Sequence, residues 1–184
     1  MAPLRARLAS GNAHKLEELR AALPDWELEL LETDRAFPEE TGTSYYENAR
    51  GKAAFGREQA AGDEWVLGED SGIEVTALGG APGIASARWA EDGVTELLER
   101  LTGAADRRAR YVCELVGLGP GGEERRGTGV LEGTIATGRR GEEGFGYDPI
   151  FVPAGHERTV AELGNEWKRT SSHRARAARA LLAG

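Results

Sequence analysis

Short apolar segments alternate with stretches of helical periodicity in the first part of the chain, and this alternation constrains the fold most. Arg5–Ala9 and Trp26–Leu31 are each the right length for one strand. The segment between them carries Leu16, Leu19 and Leu23 at helical spacing. Strands that alternate with helices are typical of an α/β protein whose sheet is covered by helices.

The remaining sequence predicts more elements of both kinds. Ser44 and Glu47 have the spacing of a capping box, which predicts a helix that runs to about Ala61. A glycine-proline turn at 119–122 separates two long alternating segments and predicts a hairpin. The other predicted elements are strands at Trp65–Gly68, Ile73–Leu78, Tyr111–Leu118, Glu124–Ile135 and Ile150–Val152, helices at Val94–Leu101 and Ser172–Leu182, and a turn at Thr159–Glu162. The predicted fold class is α/β, with a mixed twisted sheet flanked by helices in a single domain over 1–184.

Composition excludes several classes of protein. The formal charge of -8 disfavours a nucleic-acid partner, because binding a duplex requires many phosphates to be neutralised. Cys113 is the one cysteine, which rules out an intrachain disulfide and suits a buried thiol in a reducing compartment. No apolar run approaches the roughly 18 residues of a membrane span, and the first residues do not resemble a secretion signal. We therefore expect a cytoplasmic protein with no membrane partner.

One glycine motif is misleading. Gly117–Gly122 matches G-x-G-x-x-G, but a dinucleotide site needs a helix to begin at that loop. The residues that follow alternate like a strand, so a hairpin turn explains the glycines better. The P-loop pattern is absent from the sequence.

The segment Ser10–Lys15 is the first candidate site. It joins a strand to a helix through glycine, and the free amide N–H groups at a helix start attract anions. Asn12 is suited to cap the helix, and Lys15 adds a positive charge one turn later. A capped helix with a surface lysine is the alternative interpretation.

Acidic residues in two segments form the second candidate. Glu39-Glu40 and Glu69-Asp70 could supply the oxygen ligands that Mg²⁺ prefers. Asp70 could also orient or deprotonate an attacking water. Exposed acidic turns are the alternative. This alternative is weaker for Glu69-Asp70, because the pair lies between apolar strands.

Two further segments could bind a nucleotide. The aromatic rings among the glycines of Gly144–Pro149 could stack on a base, although a turn with Phe145 as a core anchor is the favoured interpretation of this segment taken alone. Lys168–Arg174 combines hydroxyls, cations and His173 next to a predicted helix start, which suits a phosphate. A solvated basic face with a structural histidine is the alternative. Lys52 is another candidate cation, or a solvated helix lysine.

The order of these segments resembles the inosine triphosphate pyrophosphatase family, whose members act on ITP, dITP and XTP. The resemblance spans nearly the whole chain, and the last two of its blocks are highly specific in combination. The matching blocks are Ala9–Lys15, Glu39–Gly42 with Glu47–Ala49, Glu69–Gly72, Ala77–Arg88, Gly144–Phe151, and Lys168 with Ser172–Arg174. Many relatives have Asp-Asp where this chain has Glu69-Asp70.

The resemblance implies a two-lobed fold with a central cleft, a homodimer and a bound Mg²⁺ held by Glu39 and Asp70. It also implies that Asp70 is the general base, with Lys52 near the phosphates. The implied substrate-binding residues are Ser10, Gly11, Asn12, Ala13, His14, Lys15, Ser71, Phe145, Gly146, Tyr147, Asp148, Lys168, His173 and Arg174.

The implied activity is hydrolysis of a nonstandard purine nucleoside triphosphate to the monophosphate and pyrophosphate. Two other functions stay open at this stage. One is a nucleotide pyrophosphatase for other bases, such as modified pyrimidines. The other is a module that senses nucleotides without cleaving them, although such a module gains little from the acids at Glu69-Asp70.

Overall fold

The computed structural model describes residues 3–184, in which strands and helices alternate before a long hairpin and two final helices. The strands are β1 (Leu4–Leu8), β2 (Trp26–Leu30), β3 (Trp65–Val75), β4 (Arg108–Leu118), β5 (Glu124–Ile135) and β6 (Phe151–Pro153). The helices are α1 (Ala13–Ala22), α2 (Tyr45–Arg57), α3 (Gly93–Arg100), α4 (Val160–Ser171) and α5 (His173–Ala183), with 3₁₀ turns at Thr76–Leu78 and Gly83–Ala85.

The strands form one mixed sheet in the order β2-β1-β3-β4-β5-β6. Strand β1 runs parallel to both β2 and β3, whereas β5 and β6 are antiparallel. The turn between β4 and β5 is closed by hydrogen bonds between Gly119 and Glu123 and between Gly122 and Gly119. The predicted mixed α/β fold and the hairpin at the glycine motif are therefore confirmed.

The described chain divides into two compact units, each with its own core. Unit 1 contains residues 3–70, 113–129 and 174–184, and unit 2 contains residues 71–112 and 130–173. The core of unit 1 is built mainly from leucines of β1, α1, β2, β3, β4 and α5. The core of unit 2 combines aliphatic residues of β3, α3 and β5 with the rings of Tyr111, Tyr147 and Phe151.

Two glycines in unit 1 let helices lie directly on the sheet. A Cβ atom on Gly68 in β3 would overlap the backbone of Ala49 and Ala53 in α2. A Cβ atom on Gly127 in β5 would overlap the backbone of Ala177 in α5. Any larger residue at Gly68 would push α2 away from the strand that carries Glu69 and Asp70.

The predicted interruption between Trp65–Gly68 and Ile73–Leu78 is wrong, because β3 runs unbroken from Trp65 to Val75. Glu69 and Asp70 are strand residues and both are buried. Acids normally break an apolar strand because burying an unpaired charge is costly. Here cationic side chains compensate the charges, and the sequence pattern alone does not reveal those partners.

The predicted turn at Thr159–Glu162 is also wrong, since Thr159 caps α4 and forms a reciprocal capping box with Glu162. Gly164 has a positive φ of 86°, which interrupts the helix and hides its periodicity in the sequence. Helix α2 ends at Arg57, before the predicted limit near Ala61. None of the helices within residues 3–184 is long and apolar enough to cross a membrane.

Candidate active site

The start of α1 has the strand–turn–helix form that the sequence predicts. The side chain of Asn12 accepts hydrogen bonds from the amides of His14 and Lys15, at 3.0 and 3.3 Å. The Ser10 hydroxyl accepts from the amide of Asn12 at 3.1 Å and tightens the turn. Gly11, Ala13 and His14 are exposed at this end of the helix. Asn12 is therefore confirmed as the cap of α1.

Lys15 does not extend into solvent. Its ammonium lies 2.6 Å from Oε2 of Glu69, whose side chain is fully buried. Oε1 of Glu69 accepts a hydrogen bond from Nε of Arg174 at 2.9 Å. Glu69 therefore pairs with two cations, Lys15 of α1 and Arg174 of α5.

A second acid completes this buried network. The Nη1 of Arg174 lies 3.3 Å from Oε1 of Glu18, which is on the inner face of α1. The thiol of Cys113 lies 3.5 Å from Glu69. Burial raises the pKa of this thiol well above its ordinary value, and the negative charge of Glu69 adds to the effect. Two acids and two cations thus balance one another under α1, and the thiol stays protonated.

Asp70 lies in a separate group on the α2 side of β3. Its Oδ2 accepts a hydrogen bond from the amide of Asn48 at 3.0 Å. The Lys52 ammonium lies 3.4 Å from Oδ1 of Asp70 and donates to the carbonyl of Glu69 at 3.1 Å. Glu40 also forms an ion pair with Lys52. Lys52 is therefore a cation between two carboxylates, and its interpretation as a solvated lysine is wrong.

The protonation equilibria of this pair follow from burial and charge. Burial raises the pKa of Asp70, against the opposing effects of the Lys52 ammonium and the Asn48 amide. Burial alone would lower the pKa of Lys52, but the charge of Asp70 and the contact with Glu40 outweigh it and raise that pKa. A buried carboxylate with a raised pKa is suited to accept a proton.

Asn48 is a residue that the sequence patterns did not mark as functional. Its amide group donates to Asp70, and its side-chain oxygen accepts from the backbone amide of Gly42 at 2.9 Å. Asn48 therefore fastens the loop that carries Glu40 to the helix that carries Lys52. Its sequence signals are its place in the family-like block Glu47–Ala49 and its position four residues before Lys52, which places both on one face of a helix.

The carboxylate oxygens next to Lys52 are the kind of ligand that binds a magnesium ion. The carboxylates of Glu40 and Asp70 converge on one positive charge, and Mg²⁺ takes one or two protein carboxylates together with phosphate and water. Within residues 3–184, no group of three or more acidic, histidine or cysteine side chains is arranged to hold a metal alone. Glu39, which the family resemblance implies as a ligand, is exposed.

Asp148 is the centre of the polar cluster in unit 2. Its Oδ1 accepts a hydrogen bond from the Tyr111 hydroxyl at 3.1 Å. Its Oδ2 accepts from the Lys168 ammonium at 2.7 Å and from the Phe145 amide at 2.9 Å. Asp148 and Lys168 are 3% and 2% exposed, so this ion pair is as buried as the apolar core around it.

Aromatic rings surround the ion pair. The Lys168 ammonium lies 4.4 Å from the ring centroid of Phe145, a cation–π contact. The His173 imidazole stacks on the Tyr111 ring, with 4.4 Å between centroids and 7° between planes. Tyr147 packs in the core of unit 2 and donates to the carbonyl of Ser86 at 3.0 Å. The core anchor of this segment is therefore Tyr147, and Phe145 is half-buried against the lysine.

The structure thus brings predicted residues together within each unit. In unit 1, Lys15 and Arg174 pair with Glu69, and Lys52 pairs with Asp70. In unit 2, Phe145 and Lys168 contact Asp148, and His173 stacks on Tyr111. Ser71 is half-buried on β3, and Gly146 is exposed with a positive φ of 61°.

Comparison with known proteins identifies the family. The model of the Ham1 family matches residues 6–184. The chain belongs to the Ham1 family. It is 44% identical to a protein of Gloeobacter violaceus named dITP/XTP pyrophosphatase, over 96% of this chain and 92% of that protein. A Deinococcus radiodurans protein of the same name is 43% identical, over 97% and 92% of the two chains.

Solved structures agree with this assignment of the Ham1 chain. The Staphylococcus aureus Ham1 protein superposes with a TM-score of 0.84 at 38% identity, over 97% of this chain and 96% of that one. A Mycobacterium abscessus structure described as a nucleoside-triphosphatase / dITP/XTP pyrophosphatase has a TM-score of 0.73 at 39% identity, over 97% of both chains. The predicted family resemblance is therefore confirmed.

Proposed function

We propose that this Ham1 protein hydrolyses nonstandard purine nucleoside triphosphates, such as dITP, ITP and XTP, to the monophosphate and pyrophosphate. The observation that carries the proposal is the buried Asp70 beside Lys52 and Glu40, in a chain 44% identical to a named dITP/XTP pyrophosphatase. A protein that only binds nucleotides has no need of a buried acid with a raised pKa next to its cations.

Unit 1 supplies the groups that would bind the triphosphate. Helix α1 begins here with the amides of His14 and Lys15 capped by Asn12, and the dipole at its N-terminus favours an anion. Lys15 and Lys52 are each less than one-fifth exposed and carry positive charge next to carboxylates. Phosphate oxygens would replace part of those carboxylate contacts, because the ammonium groups can donate up to three hydrogen bonds each.

Asp70 with Glu40, and Glu39 as the family resemblance implies, would hold Mg²⁺. When bound, the ion neutralises phosphate charge and makes a coordinated water more acidic. A carboxylate oxygen of Asp70 would accept the proton of the attacking water. The water oxygen then bonds to the α-phosphorus, and the bond to the bridging oxygen breaks to release pyrophosphate. Lys15 and Lys52 would stabilise the charge on the departing group.

Unit 2 supplies the groups that would bind the base. Lys168 is held by Asp148, and its ammonium would donate a hydrogen bond to the 6-keto oxygen of hypoxanthine or xanthine. Phe145 offers a ring face to a planar base. The 6-amino group of adenine is a hydrogen-bond donor and would face the Lys168 ammonium, which is also a donor. An unpaired buried polar group costs about 1–3 kcal/mol. This cost would discriminate against ATP.

A panel of triphosphates at equal concentration tests the proposal. Purified protein with Mg²⁺ is expected to release pyrophosphate fastest from dITP, ITP or XTP, and much more slowly from ATP. Fastest turnover of dUTP or a methylated pyrimidine would favour a pyrophosphatase of different base choice. Nucleotide binding without pyrophosphate release would favour a sensing module.

The proposal includes a homodimer in the cytoplasm, which rests on the family resemblance and the composition. Light scattering coupled to gel filtration is expected to give twice the chain mass of 19.7 kDa. A mass equal to one chain would contradict the proposed dimer and would not affect the proposed role of Asp70.

A further inference from the structure

Tyr111 links the two parts of the unit 2 cluster. It lies on β4 and is 6% exposed. Its hydroxyl donates to Asp148, and its ring face lies parallel to His173. The centroid of its ring also lies 4.5 Å from that of Phe151, a core residue of β6. One side chain therefore fixes the carboxylate and the imidazole relative to the rigid sheet.

Asp148 makes hydrogen bonds to other residues of its own chain. Both of its oxygens already accept hydrogen bonds, from Tyr111 on one side and from Lys168 and the Phe145 amide on the other. These hydrogen bonds fix the positions of the Lys168 ammonium and of the Phe145 backbone, and therefore of the Phe145 ring. A carboxylate with these three donors is held in one rotation about its Cβ–Cγ bond.

Removing one donor frees that rotation. Without the Tyr111 hydroxyl, Oδ1 of Asp148 loses this hydrogen bond in a buried place, and the carboxylate gains by turning toward its other donors. The ammonium of Lys168, 2.7 Å from Oδ2, then moves with it. A displacement of a fraction of an ångström at a hydrogen-bond donor is enough to weaken a specific contact.

We propose that Tyr111 is a positioning residue for base recognition, acting on Lys168 through Asp148 and on His173 through ring stacking. The inference rests on the proposed function, since it assigns Tyr111 to the base that Lys168 and Phe145 would bind. The contacts of Tyr111 that carry this inference are with Asp148, His173 and Phe151, all in unit 2. Its effect is therefore expected on binding and choice of the base.

The test is Tyr111→Phe, which removes the hydroxyl and keeps the ring on His173. IMP binding, measured by titration calorimetry, is expected to weaken roughly tenfold, as expected for a lost hydrogen bond to a charged group. Pyrophosphate binding should stay unchanged, because its proposed groups lie in unit 1. With ITP, KM should rise by the same factor at nearly constant kcat, and the preference for ITP over ATP should fall.

Tyr46→Phe is the matched control. Tyr46 also donates its hydroxyl to a carboxylate, that of Glu124 at 2.6 Å, but this pair lies in the surface network of unit 1. The control is expected to leave IMP binding and base preference at wild-type values. Tyr111→Leu should weaken IMP binding further by removing the stack. Tyr111→Phe decides the matter even if the leucine variant does not fold.

The outcomes separate the two proposals. If wild type cleaves ITP and Tyr111→Phe matches Tyr46→Phe in IMP affinity and base preference, the positioning role is wrong and the proposed function stands. If Tyr111→Phe weakens IMP and pyrophosphate equally, the residue has only a structural role. If the wild type neither binds IMP nor cleaves ITP, the proposed function fails and this inference fails with it.

Discussion

The two polar clusters of this protein are both buried, but they are built differently. In unit 1, Glu69 and Glu18 face Lys15 and Arg174, and charge is balanced by charge. In unit 2, one ion pair between Asp148 and Lys168 is enclosed by tyrosine, phenylalanine and histidine rings. The first cluster is a network of ions, and the second is an ion pair in an aromatic setting.

This difference indicates what each cluster suits. Ammonium groups on flexible stems and a planar guanidinium can exchange carboxylate contacts for phosphate contacts, which suits a polyanion. A lysine fixed beside rings offers a directed donor next to flat apolar faces, which suits a heterocyclic base. The proposed phosphate-binding groups therefore lie on α1, α2, β3 and α5, and the proposed base-binding groups lie in the 144–149 segment, on α4 and at the start of α5.

The largest expected effect is on turnover, through Asp70→Asn in unit 1, next to Glu69 of the ion network. The amide cannot accept the proton of water as a carboxylate does, so kcat is expected to fall by roughly 10²–10⁴-fold. Nucleotide binding should largely persist, because Lys15 and Lys52 remain. Pyrophosphate release and calorimetry measure the two quantities.

Asp63→Asn makes the same chemical change at an exposed ion pair with Arg5 in the same unit. It should leave kcat at the wild-type value. Undiminished turnover in Asp70→Asn would remove this residue from the role of base and would leave unit 1 with binding alone.

The next effect is on stability, through Glu69→Gln. Removing one partner of a buried ion network leaves Arg174 without its main counter-ion, which costs about 3–5 kcal/mol in the free energy of unfolding. Glu96→Gln breaks an exposed pair with Arg100 and should cost no more than about 0.5 kcal/mol. Urea unfolding of both variants measures the difference. Equal losses would show that burial does not distinguish the network from a surface pair.

Much of the architecture could be predicted from the sequence, because most elements carry their own local signal. Leucine spacing marked α1, and the turn residues marked the β4–β5 hairpin. The unbroken β3 could not be predicted, because Glu69 and Asp70 are tolerated only through Lys15, Arg174, Lys52 and Asn48, which lie elsewhere in the chain. Long-range compensation leaves no trace in a local pattern.

The candidate site shows the same limit. The order and sequence of the motifs predicted Lys15, Asp70, Asp148 and Lys168 as site residues, since they stand in specific blocks, and the structure shows each of them in a polar contact. The family resemblance selected Glu39 as a metal ligand, but the residues alone gave no reason to prefer it over Glu40, because two adjacent acids in a loop look alike until a partner is known. The structure pairs Glu40 with Lys52. Tyr111 has no such block, and its role follows only from the contact with Asp148.

The smallest expected effect compares the two clusters directly, through Asp148→Asn. This variant also breaks a buried ion pair, yet its cost should be only about 1–3 kcal/mol in the free energy of unfolding. The asparagine oxygen can still accept a hydrogen bond from the Lys168 ammonium, which also keeps its cation–π contact with the Phe145 ring. Urea unfolding of Asp148→Asn and Glu69→Gln under the same conditions measures the difference. A loss in Asp148→Asn as large as that in Glu69→Gln would show that the aromatic setting does not compensate for the lost carboxylate.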